Sequence, residues 1–252
     1  MSDELLIAVS DFETRVALVE DGLLKEIHIA RDDVFSGTGN VYLGRVQRIV
    51  PGMQAAFVDV GFERPGFLHA RDIEGVRLLT GDGQTPADEP PDIRELIHDG
   101  QTLMVQVQKD PIASKGARLT TRIAIPSRLL VLMPFSDHIG VSQKIELAEE
   151  RERLTALIRT ERDRRGTDAV GFIVRTAAEG ADADALAADM GMLVRMWETV
   201  SARQHQSNPP CRLFEDLPLH TRAVRDMAGT GLTAIWIDEE ATWRRVKAFA
   251  AT

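Results

Sequence analysis

Two phenylalanines ten residues apart stand out in a chain whose aromatic content is only 5%. Phe57 lies in Gln54-Ala55-Ala56-Phe57-Val58-Asp59-Val60-Gly61, and Phe67 in Arg64-Pro65-Gly66-Phe67-Leu68. On adjoining strands of a small barrel, exposed rings stack nucleobases, each base contributing ~1–3 kcal/mol. The same alternation fits two core residues, since strand phenylalanines more often face inward. Downstream, Gln108 to Thr121 sets Lys109, Lys115 and Arg118 around Gly116 and Ala117. A phosphate backbone can approach such a small-residue loop closely, although a solvated turn would look the same. In Gly171-Phe172-Ile173-Val174-Arg175-Thr176-Ala177 an apolar strand ends abruptly in Arg-Thr, before the Glu179-Gly180 turn. A planar guanidinium there can grip a terminal phosphate, and threonine adds a hydroxyl and a backbone donor. A surface ion pair is the competing reading of Arg175.

Charge is distributed unevenly around these residues. The 252 residues carry 30 basic and 39 acidic side chains, a formal charge of −9. Between Gln101 and Ile145, however, Lys109, Lys115, Arg118, Arg122, Arg128 and Lys144 face only Asp110 and Asp137. An acidic whole with a basic stretch argues against indiscriminate nucleic-acid binding and allows a local phosphate contact. The composition, 44% apolar and 27% charged, is that of a globular chain of one or two units, not a disordered one. No apolar run approaches the ~18 residues of a membrane span, and Met-Ser-Asp-Glu-Leu-Leu-Ile has neither a basic flank nor a small-residue cleavage site, so a cytoplasmic location is expected. The lone Cys211 excludes an internal disulfide and a cysteine-based zinc site. The six histidines, at 28, 69, 98, 138, 205 and 220, show no ligand spacing, and no metal is assigned. A two-metal nuclease needs several carboxylates converging on ions ~4 Å apart. Asp11, Asp238 and Glu239 are candidates, but Asp11 lies in a Ser-Asp-Phe-Glu turn and Asp238 reads as a helix cap, so no catalytic residue is assigned.

The elements that must position these residues can be read from period. Leu5 to Val9, Thr14 to Val19 and Leu23 to Ile29 read as strands, the last two joined through Asp21-Gly22. After the break Ser36-Gly37-Thr38-Gly39-Asn40, the runs Val41 to Val50, Gln54 to Val60, Gly66 to Leu68 and Leu103 to Lys109 are again β-like, with Pro51-Gly52 and Gly61 as turns. Several short, closely spaced strands predict a small barrel. Leu79 to Pro91, with its glycines, prolines and acidic residues, reads as a long surface loop. Glu146 to Arg165 predicts an exposed helix with Leu147, Leu154 and Ile158 on one side. From Asp182 or Asp184 onward, Leu186, Met190, Leu193, Trp197 and Val200 mark one face of a second helix. Ala169 to Arg175 is the β-like run between them, and Ser207-Asn208-Pro209-Pro210 stops the second helix. Cys211 to Phe214 then reads as a strand, Leu219 to Ala228 as a helix, Thr233 to Ile237 as a strand, and the remainder as a helix capped by Asp238.

Six motifs in order give the chain a resemblance. Asn40-Val41-Tyr42-Leu43-Gly44-Arg45-Val46, Ala55 to Gly61, Gly66-Phe67-Leu68, Lys115-Gly116-Ala117-Arg118-Leu119-Thr120-Thr121, Leu130-Val131-Leu132-Met133-Pro134 and Ile173-Val174-Arg175-Thr176-Ala177 together resemble the N-terminal half of the ribonuclease E/G family. The resemblance implies an α+β fold. A discontinuous RNase H-like subdomain (1–37 and 211–252) would carry an inserted OB-type S1 β-barrel (38–125) and an α/β 5′-sensor subdomain (126–210). It implies single-stranded RNA with a 5′-monophosphate as partner. Phe57, Phe67 and Lys115 correspond to the family's RNA contacts on the barrel. Arg175, Thr176, Val131, Lys144 and Ser127 correspond to the phosphate and terminal-base contacts of the sensor. Gln143-Lys144 stands where the sensor often has paired arginines, and Ser127 where a glycine commonly offers its amide. Gln143 removes a charge, and Lys144 acts as a point charge without bidentate geometry.

In the complete family enzyme, a Mg²⁺-dependent single-strand-specific endoribonuclease, paired aspartates and a zinc-linking Cys-x-x-Cys pair follow the region matched here, and subunits associate as homo-oligomers. Neither element matches a position of this chain, and Cys211 does not match the zinc pair. The expectation is therefore the RNA-recognition portion of an E/G-type endoribonuclease for RNA processing and decay, with no cofactor of its own. A stand-alone RNA-binding protein without cleavage is the alternative, and a protein-interaction scaffold a third reading.

Overall fold

The structure is a computed structural model that describes residues 3–31, 37–74, 91–112, 115–167, 169–227 and 232–250. In chain order its strands are β1 (Asp3–Val9), β2 (Glu13–Glu20), β3 (Leu23–Arg31), β4 (Val41–Val50), β5 (Ala55–Asp59), β6 (Gly66–His69), β7 (Thr102–Lys109), β8 (Arg118–Thr120), β9 (Ile125–Pro126), β10 (Leu130–Met133), β11 (Ile139–Val141), β12 (Gly171–Val174), β13 (Cys211–Phe214) and β14 (Leu232–Ile237). The helices are α1 (Ile93–Leu96), α2 (Ala148–Arg165), α3 (Ala183–Gln206), α4 (Leu219–Met227) and α5 (Glu240–Ala250). The chain separates into two units, Met1–Ser36 with Leu217–Thr252, and Gly37–Asp216. Apart from Pro91, the expected loop from Leu79 to Pro91 lies mostly outside the described residues.

In the first unit β1, β2 and β3 form an antiparallel meander, and β14 adds parallel to β1, giving the order β14-β1-β2-β3. Asp21 and Gly22 both take positive φ, 49° and 79°, the combination that a tight two-residue hairpin requires. Leu5, Ile7 and Val16 face Ala223, Val224 and Val246 of α4 and α5 in one core. Asp238 does not cap α5 as expected. Its Oδ1 accepts from Val9 N at 2.9 Å, and the capping carboxylate is Glu239, which accepts from Thr242 N at 2.6 Å. Asp11 does lie in a turn, closed by Ser10 and Glu13.

In the second unit β4, β5, β6, β8 and β7 close into a five-stranded barrel through the β4–β7 pairing, with β13 attached to β4. Alternation decides its interior. Ala56, Val58, Leu68, Val107 and Leu119 point inward and pack with Tyr42, Val46 and Val105. Beside the barrel lies a sheet of order β11-β12-β10-β9. Its Leu130, Leu132, Phe172 and Val174 pack with Leu154 and Ile158 of α2 and Leu186, Met190 and Leu193 of α3. Asp182 caps α3, its Oδ1 accepting from Ala185 N at 2.8 Å. Leu147 is not part of the α2 stripe. It precedes the helix and is 67% exposed, while Leu154 and Ile158 are fully buried. Among the described residues no helix is long and apolar enough to cross a membrane.

Candidate nucleic-acid interface

Register places Phe57 directly opposite Phe67, on the side of the wall away from the barrel core. Their neighbours Ala56, Val58 and Leu68 are buried, and alternation turns the two rings outward, half-buried against each other. The ring centroids are 6.1 Å apart at 69°, an edge-to-face pair. Pairing continues on both sides: Arg48 of β4 lies opposite Phe57, Arg118 of β8 opposite Phe67, and Lys109 of β7 opposite Arg118. One row across five strands thus reads Arg48, Phe57, Phe67, Arg118, Lys109, with two rings in the middle and cations at both ends. The Arg48 guanidinium carbon is 5.9 Å from the Phe57 centroid. Arg118 is anchored by Asp72, with Nη2 to Oδ2 at 3.0 Å. Lys109 and Lys115 are exposed and have no carboxylate partner among the described residues.

Lys115 is tied to this row through the backbone. Ala117 O accepts from Phe67 N at 2.7 Å, which sews the lysine's segment onto β6. Gly116 makes the approach possible, because a Cβ there would lie 2.0 Å from Pro65 O. The expected RNA contacts Phe57, Phe67 and Lys115 therefore meet at one place on the barrel wall.

The second group gathers at the end of β12. Arg175 N donates to Leu129 O at 2.8 Å, and its Nη1 to Ser127 O at 2.6 Å. Thr176 is exposed, with Oγ1 3.1 Å from Ser142 Oγ. Ser142 N donates to Val174 O, which brings the Ser142–Lys144 turn against the strand end, with Lys144 and Gln143 exposed on it. Val131 pairs with Ile173 on the face of the sheet away from the helices, both half-buried. Ser127 stands apart from the exposed members. It is 2% exposed, its N–H donates to Leu130 O, and its hydroxyl is shared between Asp189 and Leu130 O. Neither of its donors is presented to a ligand here, and its carbonyl instead holds Arg175.

Burial pushes the Asp189 carboxyl up. The Ser127 hydroxyl, the Leu129 and Leu130 amides and the nearby Arg175 charge pull the other way. Asp189, Ser142 and Arg48 went unassigned in the sequence. Asp189 left one signal, a carboxylate set between the inward positions Leu186 and Met190 of α3. Ser142 and Arg48 left none, because only register brings them to their partners.

Comparison with known proteins was decisive: residues 124–252 match the model of the Ribonuclease E/G family. The chain belongs to this family. It is 46% identical over all 252 residues to Ribonuclease G of Salmonella typhimurium and 45% identical to Ribonuclease G of Escherichia coli K12, covering 50% of each. Ribonuclease E of a Nostoc species is 36% identical over 212 residues, 84% of this chain and 29% of that protein. The chain thus spans about half the length of the Ribonuclease G relatives it matches. Among the described residues, no three His, Cys, Asp or Glu side chains come together to hold a metal ion.

Proposed function

We propose that this member of the family supplies the RNA-recognition part of an E/G-type endoribonuclease. The barrel wall stacks the bases of single-stranded RNA, and the end of β12 receives the RNA's 5′-monophosphate. The observation that carries this reading is the cross-strand row of two outward phenylalanines between arginines and a lysine. Stacking rings flanked by cations suit a flexible strand. A rigid duplex would not need the rings.

At the second group, Arg175, Thr176 and Lys144 supply a guanidinium fork, a hydroxyl and a point charge, and Val131 an apolar bed for the terminal base. Ser127 takes part by holding Arg175 in place rather than by touching phosphate. Unit one, a mixed β14-β1-β2-β3 sheet backed by two helices, serves as an RNase H-like support. The barrel, from residue 38 to about 125, is read as S1-type, and 126–210 as the sensor. Cys211–Phe214 pairs with β4, and the first unit takes in the chain again from Leu217.

Cleavage in the complete enzyme is assigned to Mg²⁺ held by aspartates beyond those matched here. The described residues of this chain do not fit such a site, and no step of the reaction is placed on them. Family membership favours this nuclease-linked role over a free-standing RNA binder. The test is binding of single-stranded RNA with 5′-monophosphate or 5′-hydroxyl ends across a salt series. Affinity should fall steeply with salt, by about 0.7 in the log–log slope per phosphate contacted. The monophosphate should bind more tightly. A flat salt dependence or absent binding would refute the reading.

A further inference from the structure

On the face of the β11-β12-β10-β9 sheet away from the helices, register sets Pro126, Val131, Ile173 and Gly140 in one row across all four strands, each half-buried. The row ends at Gly140, where the side chain is missing and His138 fills the place. A Cβ on Gly140 would lie 3.3 Å from His138 Nε2, 3.5 Å from its Cδ2 and 3.6 Å from Ile173 Cγ1. The imidazole therefore stands beside Ile173 at the β11 end of the row. Gly140 does not take positive φ, so its backbone does not call for glycine, whereas the ring occupies the space a larger side chain would need.

The segment that carries His138 is pinned by its backbone. His138 O accepts from Phe172 N at 2.9 Å, and His138 N donates to Ser136 Oγ at 3.3 Å. A Cβ on Gly171 would lie only 2.6 Å from His138 O, so the segment crosses β12 in close contact. None of these contacts uses the ring. His138 is exposed, and neither ring nitrogen has a hydrogen-bond partner among the described residues.

Strand spacing turns this placement into a gauge of size. Neighbouring strands lie ~4.8 Å apart, so a base resting on Val131 and Ile173 covers one interval, and the next interval ends at Gly140. A single pyrimidine ring fills the first interval. The fused rings of a purine reach into the second, where the imidazole stands.

We propose that His138 sets the choice of 5′-terminal nucleotide, favouring purine over pyrimidine, by meeting the far ring of the purine at the β11 end of the row. The contact is aromatic, and an unpaired ring nitrogen adds a hydrogen-bonding group at the rim of the base. The inference rests on the reading of the β12 end as the 5′-monophosphate site and of Val131 as the bed for the terminal base. A structural role needs only the backbone of residue 138. It explains neither the exposed ring on the row nor the glycine that makes room for it.

The test compares 5′-monophosphorylated single-stranded RNAs that differ only in the first nucleotide, adenosine or uridine, on the parent chain, His138→Ala, His138→Phe and Arg175→Ala. The parent should bind the RNA beginning with adenosine about fivefold or more tightly. His138→Ala should bring the two affinities together at unchanged melting temperature, and His138→Phe, which keeps an aromatic ring, should restore part of the difference. Equal affinities in the parent, or a preference that survives His138→Ala, would overturn the inference. The same RNAs with 5′-hydroxyl ends separate the two readings. If the parent still prefers monophosphate ends and Arg175→Ala loses that preference, only the assignment of His138 has failed. If the parent does not distinguish the two ends, the reading of the β12 end fails and the inference falls with it. Chemical shifts of the His138 imidazole in the unsubstituted chain give an independent readout. RNA beginning with adenosine should move them more than RNA beginning with uridine, and equal or absent shifts would overturn the proposal even if a variant misfolds.

Discussion

The barrel wall and the end of β12, the two places proposed to meet RNA, hold their polar and aromatic groups by opposite means. On the wall, the rings of Phe57 and Phe67 lean on each other and on Arg48, and the exposed lysines have no carboxylate partner among the described residues. At the end of β12 the principal cation is already engaged: Arg175 donates to Ser127 O and lies near the half-buried Asp189. A stacking surface tolerates many bases and needs only flat area, whereas a phosphate fork works at one geometry and must be held there. The contrast explains why one region is built from alternation alone and the other needs a network of loops.

The largest effect on this comparison should come from the glycine that lets Lys115 approach β6. Gly116→Ala drives a Cβ into Pro65 O, and thermal unfolding should show a loss of about 2 kcal/mol or more. Gly52→Ala, with open space around it, should be close to neutral. Next, Arg175→Ala should remove the preference for 5′-monophosphate over 5′-hydroxyl RNA. Charge-assisted hydrogen bonds contribute ~1.5–3 kcal/mol, so the lost preference is about tenfold or more, while affinity for 5′-hydroxyl RNA stays the same. Arg175→Lys should restore charge without the fork and recover only part of it.

Asp189 makes the network's cost measurable through pH. Its carboxyl titrates above the ordinary carboxylate range in the folded chain, so between the unfolded and folded values the folded state binds more protons. Stability from this group is therefore present in acid and lost as pH rises through the folded value. Asp189→Asn should be more favourable relative to the parent at pH 7 than near pH 4, as read by denaturant midpoints. A smaller change is expected from Gln143→Arg on the turn beside Thr176, a gain of a few-fold in monophosphate preference. No gain would place Gln143 outside the phosphate's reach.

Much of the scaffold was legible from local rules. The Asp21-Gly22 hairpin, the barrel strands β4 to β7 and the Leu186-to-Val200 face of α3 each follow from turn chemistry or period, and each forms where expected, whereas the fifth barrel strand, β8 (Arg118–Thr120), lies in a stretch that reads as a loop. Period failed where elements were too short to show one. β9 has two residues and β11 three, and both exist only because β10 and β12 offer them edges. Leu147 matched a helical stripe by spacing yet lies before the helix. Asp238 looked like a cap because the adjacent Glu239 could serve equally well. Of the candidate site, Phe57, Phe67, Lys115, Arg175 and Thr176 could be named from sequence. The inward turn of Ser127 could not, since it depends on Asp189, 62 residues away.

The central claim is that the paired rings on the barrel wall bind RNA and do not hold the barrel together. The most direct test measures single-stranded RNA affinity and melting temperature together for Phe57→Ala and Phe67→Ala. The account predicts binding weaker by about fivefold or more in each variant. The melting temperature should fall by only about 2–4 °C, the loss of roughly 1 kcal/mol of ring contact. Unchanged affinity, or thermal collapse of either variant, would contradict it.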